Sequence, residues 1–373
     1  MNSAEHETDE IERSGTDCIK RVCVIGAGPS GLTCLRALQK LDEQKFEVIC
    51  YERYDSIGGE WNFNGKEGLE EDGLETHSAM YYNLTCNGCK EGMELPELRF
   101  PSDDPDLTGF PCYPDREYIL KYLNTFADKF NLRPIMFFKF PISLRFYAEG
   151  LRLLLIGAGD SSEDISIMVL KEGAQYVTIA YKYEPLDRKF PDGIDQKPLV
   201  NYIRNDTVTF IDGSERSYDV IIYCTGYKYE FPFLEERLRL KTSNRMVPPL
   251  YKQIVFPEYP KLHYLGMQEQ YYTFTMFWLQ SHLSADIIMG HFTLPSLDEM
   301  RSEIEQAQKE EENLSSDYDS RIDFQTAYVN ELSQLTGQVS VDIAHLMHRE
   351  EADKRRDIST YKQQTHFKSI FWK

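Results

Sequence analysis

The stretch RVCVIGAGPSGLTCLRALQKL, residues 21–41, decides the fold. Val22 to Ile25 is a short continuous apolar run, the expectation for a parallel strand buried on both faces. Gly26-x-Gly28-x-x-Gly31 follows at once, and Leu32, Leu35 and Leu38 then recur at helical spacing. FEVICYE, residues 46–52, reads as a second parallel strand, which completes a strand–turn–helix–strand unit. Each glycine has a job: the first makes the tight turn, the second lets backbone approach a pyrophosphate, the third lets helix and strand pack. The helix N-terminus adds unpaired N–H groups and a partial positive charge. Glu52 ends the second strand, where an acid binds a ribose hydroxyl, so the unit reads as a dinucleotide site.

The pattern occurs twice. LRLLLIGAG, residues 151–159, is again a strand running into a glycine turn, here Gly157-x-Gly159-x-x-Ser162. Serine in the third place still allows close packing and can add a hydroxyl near phosphate. The next strand, QYVTIAY, ends in Tyr181-Lys182 instead of an acid. A cation there suits the 2′-phosphate of NADPH, although an ordinary surface lysine is the alternative. Two fingerprints imply two nucleotides, the arrangement of flavoproteins reduced by NAD(P)H. The fold class expected is α/β with two Rossmann-like units and C-terminal helices.

Between the fingerprints, Arg53 to about Asp115 is loop-rich, and REYILKYLNTFADKF forms an amphipathic helix. Gly58-Gly59-x-Trp61 follows the ribose acid closely; the glycines can lie under a cofactor with the Trp as a lid, or the Trp is a core residue beside a loop. VTFIDGSERSYDVIIYCTGY, residues 208–227, reads as one hairpin turning at Asp212-Gly213. Ser296 and Glu299 make a capping box that starts a helix whose acidic run is a solvated face.

The bulk numbers bound the rest. The chain has 373 residues, 41% of them hydrophobic and 13% aromatic, enough for a core of two domains. A net charge of -20 argues against nucleic acid and against an anionic membrane surface. Apolar runs are too short for a membrane span, and residues 1–17 read as a disordered acidic lead-in rather than a signal peptide. Eight scattered cysteines fit a reducing cytoplasm, with Cys23, Cys50 and Cys224 acting as small hydrophobes in strands. Cys86 and Cys89 form a C-x-x-C pair without a second pair at metal spacing, so two unrelated loop thiols are the plainer reading and no metal is expected.

Together GAGPSG (26–31), GGEWNF (58–63), THSAMY (76–81), CNGCKE (86–91), DVIIYCTGYKYEFPFLEERLRLKTSNR (219–245) and YLGMQEQYYTFTMF (264–277) resemble the flavin-containing monooxygenases. They look most like the bacterial trimethylamine monooxygenase type and its animal relatives, over about Arg21 to Ala285 with one large gap. The resemblance implies FAD and NADPH as cofactors and O2 as co-substrate. It implies oxygenation of an amine nitrogen or sulfide through a flavin C4a-hydroperoxide. It also implies that Gly26, Gly28, Ser30, Gly31 and Glu52 hold FAD, with Gly59 and Trp61 beside them. His77, Gln270 and Thr273 would contact the flavin side, and Asn87 would be the asparagine near flavin and nicotinamide. Gly157, Gly159, Ser161, Ser162 and Lys182 would face NADPH. From the residues alone, a turn-forming Asn before Gly88 is the stronger reading.

The chain departs from the family in one large respect. The F-x-G-x-x-x-H signature before the second fingerprint is absent, and only LRPIMFFKFPISLRFYAEG joins Asn131 to Leu151. Cys89 stands where a proline is usual, Thr85 where a bulky aromatic is, and Lys182 where arginine is more frequent. So short an insert has no room for further parallel strands with their crossovers; MFFKFPISLRFYA reads as an edge strand or exposed apolar surface. The expected organisation is an FAD domain from 18–132 and 218–373 with a shortened NADP unit, 133–217, inserted. Two alternatives follow: a catalytically impaired relative that binds nucleotide or a partner protein, and an FAD-dependent disulfide reductase using Cys86 and Cys89. A homo-oligomer stays open.

Overall fold

A computed structural model describes residues 20–41, 45–63, 80–81, 84–100, 109–137, 148–226, 231, 234–240, 249–267, 271, 273–315, 317–338 and 344–363. The lead-in 1–17 lies outside them.

The first sheet is small and parallel, in the order β1 (Lys20–Ile25), β2 (Phe46–Tyr51), β3 (Met136–Phe137). Val24 pairs with Cys50 and Cys50 with Met136. The helix between β1 and β2, α1 (Pro29–Leu38), turns Leu32, Leu35 and Leu38 fully inward, and Pro29 sits in its first turn, where a missing N–H costs no helical bond.

One expectation fails here. β1 is not buried on both faces: Lys20, Arg21, Cys23 and Ile25 are exposed, and Ile25 retains 56% of its surface. Among the described residues β1 pairs only with β2, so it is an edge strand, and Cys23 is not a core residue. Cys50 is buried as expected, and Cys224 is half-buried.

The second sheet buries its two central strands. β4 (Arg152–Ile156), β5 (Tyr176–Ala180), β6 (Ile194–Lys197) and β10 (Val220–Tyr223) are all parallel, in the order β10-β4-β5-β6. Leu153, Leu154 and Leu155 are fully covered, and α3 (Asp160–Lys171) crosses from β4 to β5. A third, antiparallel sheet joins β7 (Val200–Arg204), β8 (Thr207–Phe210) and β9 (Glu215–Ser217). The hairpin at Asp212-Gly213 is therefore β8–β9 only. The VIIY run belongs to β10, because a strand of such apolar residues is stabilised best between two parallel neighbours or beside one buried strand, here β4. Val220–Tyr223 therefore lies in the second sheet, and Met136–Phe137 in the first. The rest of the aromatic-rich insert, 138–147, lies outside the described residues.

Helices close the molecule. α2 (Arg116–Lys129) packs Ile119, Tyr122, Leu123 and Phe126 into the main core. α4 (Thr273–Met289) is buried from Phe274 to Ala285 and lies on α1, where Thr33 Oγ1 and Ser281 Oγ meet at 3.0 Å. α5 (Leu297–Glu312) starts at the expected capping box: the Glu299 N–H donates to Ser296 Oγ at 3.3 Å and the Ser296 N–H to Glu299 Oε2 at 2.9 Å. α6 (Tyr318–Thr336) and α7 (Ala344–Arg356) follow, and α7 brings the C-terminal segment back against the second unit. Among the described residues no helix is long and apolar enough to cross a membrane.

Candidate active site

The first glycine turn is built by close backbone approach. Gly26 has φ +98, a left-handed value that favours glycine. A Cβ on Gly31 would lie 2.0 Å from the Gly26 carbonyl oxygen, so α1 packs on the strand end only with glycine there. Gly28 faces Gly59: a Cβ on Gly59 would come within 2.9 Å of Gly28 Cα. The Gly58 N–H donates to the Ala27 carbonyl at 3.0 Å. The second glycine pair thus lies against the fingerprint itself. Trp61, next in the same short 3-10 turn (Gly59–Trp61), packs partly buried against the main core.

Glu52 joins the turn from β2. Its Oε2 accepts the Ala27 N–H at 2.6 Å and its Oε1 the Tyr54 N–H at 2.8 Å. Burial raises its pKa, and those two N–H donors oppose the rise. The Arg53 N–H also acts on this carboxylate, and since a carboxylate offers about four acceptor positions, one stays open for a ribose hydroxyl. No side chain caps α1, and its first N–H groups point to where a phosphate would lie. These residues fit a dinucleotide.

The second turn divides its glycines between two tasks. Gly157 has φ +117, and a Cβ there would sit 2.2 Å from the Cys224 carbonyl oxygen. The C-T-G run after β10 is thereby explained: the chain after that strand crosses directly against the fingerprint. Gly159 has open space on its Cβ side, room for a ligand. Ser162 is buried and its hydroxyl is committed, donating to the Gly159 carbonyl at 2.7 Å and accepting the Gly159 N–H at 3.0 Å. The expectation that it adds a hydroxyl near phosphate is corrected, because the turn uses both its functions; Ser161 beside it is exposed. Lys182 is exposed, its Nζ 4.8 Å from the ring centre of Tyr183, which is itself 82% exposed.

Asn87 is brought to the second unit. Lys362, in a short 3-10 turn (Tyr361–Gln363) after α7, places Nζ 2.8 and 2.9 Å from the two carboxylate oxygens of Asp164 on α3. The same ammonium lies 3.0 Å from the Thr85 carbonyl and 3.4 Å from Asn87 Oδ1. Burial raises the pKa of Asp164 and Lys362 opposes the rise. The Tyr81 hydroxyl also bonds Asp164, and Cys224 is among the groups acting on it. Thr273 stands half-buried at the first turn of α4. His77 and Gln270 lie outside the described residues. Sequence reasoning missed Lys362, Asp164 and Tyr81, since nothing in their spacing couples them.

Cys86 and Cys89 are free and buried, and burial pushes both thiols up. Reactive cysteines sit in partly exposed, electropositive places that do the reverse, so the disulfide-reductase reading loses its chemical footing. Among the described residues no group of three or more His, Cys, Asp or Glu could hold a metal.

Known proteins match this arrangement. The profile of a family described as flavin-binding monooxygenase-like matches residues 19–146 and 188–350. The trimethylamine monooxygenase of Methylocella silvestris is 32% identical over 416 residues, covering 93% of this chain and 92% of that protein. Those 416 positions outnumber the 373 residues here, so the relative carries residues without a counterpart in this chain. The crystal structure of Tmm from Pelagibacter sp. strain HTCC7211 superposes with a TM-score of 0.85 at 30% identity, covering 94% of each chain. The S-allyl-L-cysteine S-oxygenase of Allium sativum shares the fold, with a TM-score of 0.77 at 22% identity over 94% of this chain and 96% of that one.

Proposed function

This chain belongs to the flavin-binding monooxygenase-like family, and on that premise we propose that it oxygenates a soft nucleophile, with an amine nitrogen ahead of a sulfide. Enzymes of the family are oxidoreductases that use FAD and NADPH. The amine is favoured because trimethylamine monooxygenases are relatives at 32% identity over most of the chain; the sulfide is the alternative within the same chemistry.

The observation that carries the reading is a pair of glycine turns at the ends of two separate parallel sheets, with the Asn87 loop tied to the second of them. Gly26, Gly28, Ser30 and Gly31 would hold the FAD pyrophosphate on the α1 N-terminus and Glu52 its ribose, while Gly59 keeps the loop close. Thr273 would stand near the flavin. Gly157, Gly159 and Ser161 would hold NADPH, with Lys182 on its 2′-phosphate. When bound, the two cofactors supply the hydride and the oxygen activation, so one oxygen atom reaches the substrate and the other leaves as water.

The protein's own residues orient and enclose. Asn87 presents an amide donor beside the reacting centre. The surrounding Cys86, Cys89 and Tyr113 are buried, which keeps bulk water from that side. No proton-transfer residue is needed at the substrate, because a neutral amine or sulfide attacks through its lone pair. The free, buried thiols fit a cytoplasmic setting.

An absorbance spectrum of the purified protein, followed by aerobic NADPH titration with trimethylamine and with dimethyl sulfide, tests this. A yellow protein that bleaches with NADPH, recovers in air and forms the amine oxide is the expected result. The exposure of β1, which among the described residues pairs only with β2, favours a second reading, in which the shortened chain binds nucleotide without turnover. A flavin that NADPH leaves oxidised, or a colourless protein, is the outcome that reading expects.

A further inference from the structure

We infer that Lys362 is a positioning residue that sets the orientation of the Asn87 amide and ties it to the NADPH-facing helix α3. The role given to Asn87 rests on the function proposed above; the geometry does not.

An ammonium has three N–H donors and no acceptor. Three acceptors surround Lys362 Nζ: the Asp164 carboxylate at 2.8 and 2.9 Å, the Thr85 carbonyl at 3.0 Å and Asn87 Oδ1 at 3.4 Å. Its donors are therefore all directed. Because the ammonium only donates, Asn87 must turn its oxygen toward it, and the Nδ2 hydrogens are left on the opposite side as donors. A free asparagine amide has two orientations of similar energy, and one of them would aim an acceptor where a donor is wanted. Lys362 selects between them.

The lysine is itself held. Tyr361, its neighbour, is buried with its ring 5.4 Å from that of Tyr113, and the Lys362 side chain is 22% exposed, so the ammonium has little freedom to leave. Asp164 is two residues beyond Ser162, on the helix that the second glycine turn opens. A shift of α3 on nucleotide binding would move Asp164, and with it Lys362 and the Asn87 amide. The Asn87 loop, α3 and the segment after α7 meet at this one charge.

The test uses the full chain labelled with 15N-asparagine, in which the Asn87 side-chain amide pair is identified by its absence from Asn87→Ala. In Lys362→Met the pair is expected to shift and broaden, and in Lys362→Arg, which keeps a donor-only cation, it stays close to the wild-type position. Unchanged signals in Lys362→Met, or equal disturbance in both variants, overturn the inference. Should Lys362→Met fail to fold, Asp164→Asn carries the same expectation, since it removes the charge that anchors the ammonium. In flavin-loaded protein, the oxygenated product per NADPH consumed falls about tenfold in Lys362→Met, with hydrogen peroxide taking the difference, and recovers in Lys362→Arg. A wild-type chain that lacks flavin or leaves NADPH unconsumed sinks the proposed function, while the amide signals still decide the role of Lys362.

Discussion

Arg188 and Glu351 form a two-pronged ion pair, Nη1 to Oε1 at 2.9 Å and Nη2 to Oε2 at 3.2 Å, across 163 residues of chain. Their side chains are 1% and 3% exposed. The Arg188 Nε also donates to Glu163 on α3 at 2.8 Å, so one guanidinium locks α7 to the second unit. Removing Arg188 takes a cation from two buried carboxylates at once, Glu163 and Glu351, of which Glu351 keeps Arg355 at 3.2 Å. Arg188→Met is expected to destabilise the protein by about 3–5 kcal/mol, read by urea unfolding. A loss below about 1 kcal/mol, the range of an exposed pair, would show that the site is wetter than its burial implies.

The two glycines of the second turn separate structure from binding. Gly157→Ala places a methyl 2.2 Å from a backbone oxygen at a φ of +117 and is expected to cost about 2 kcal/mol or more, because backbone must move. Gly159→Ala meets open space and should leave the melting temperature nearly unchanged while raising KM for NADPH. Equal effects of the two on stability would remove the ligand role of Gly159.

Lys182 tests the choice between the two nicotinamide nucleotides. Lys182→Ala should raise KM for NADPH roughly tenfold and leave NADH alone, since only NADPH carries the 2′-phosphate. A similar rise for both nucleotides would place Lys182 away from that phosphate.

Glu350 makes stability depend on pH. It is wholly enclosed, accepts the Cys89 N–H at 3.0 Å, and burial lifts its carboxyl from the ordinary 4.5 to about 7, opposed by Lys354, Tyr113 and Lys362. The folded state therefore holds this proton more tightly than the unfolded chain. Its contribution is complete below about pH 4.5 and is lost as pH rises through about 7, an effect of about 3 kcal/mol. Glu350→Gln keeps an acceptor and removes the titration. Melting temperatures between pH 5 and 8 should fall less steeply in that variant; an identical slope would show that Glu350 is ionised throughout.

Some of this was legible in the sequence and some was not. Each strand, glycine turn and helix of the two nucleotide units is written within about twenty consecutive residues, because hydrogen bonding and glycine stereochemistry act locally. The same holds for the capping box at Ser296 and Glu299 and for the turn at Asp212-Gly213. Pairing acts at a distance. VIIY is equally good as a hairpin arm or a parallel strand until β4 is seen beside it, and the apolar run of β1 gives no sign that most of its residues are exposed. The hydroxyl of Ser162 is available to phosphate on paper and consumed by the turn in space.

By itself, then, the sequence determined two glycine turns that each join a strand to a helix, Glu52 at the end of the second strand, and membership of a family whose motifs are short and local. Only the tertiary structure decided what joins them. Lys362 meets Asp164 over 198 residues and Asn87 over 275, and Arg188 meets Glu351 over 163. Such contacts depend on how whole elements pack, and a charged residue carries the same letters whether it ends in solvent or against its partner in the interior.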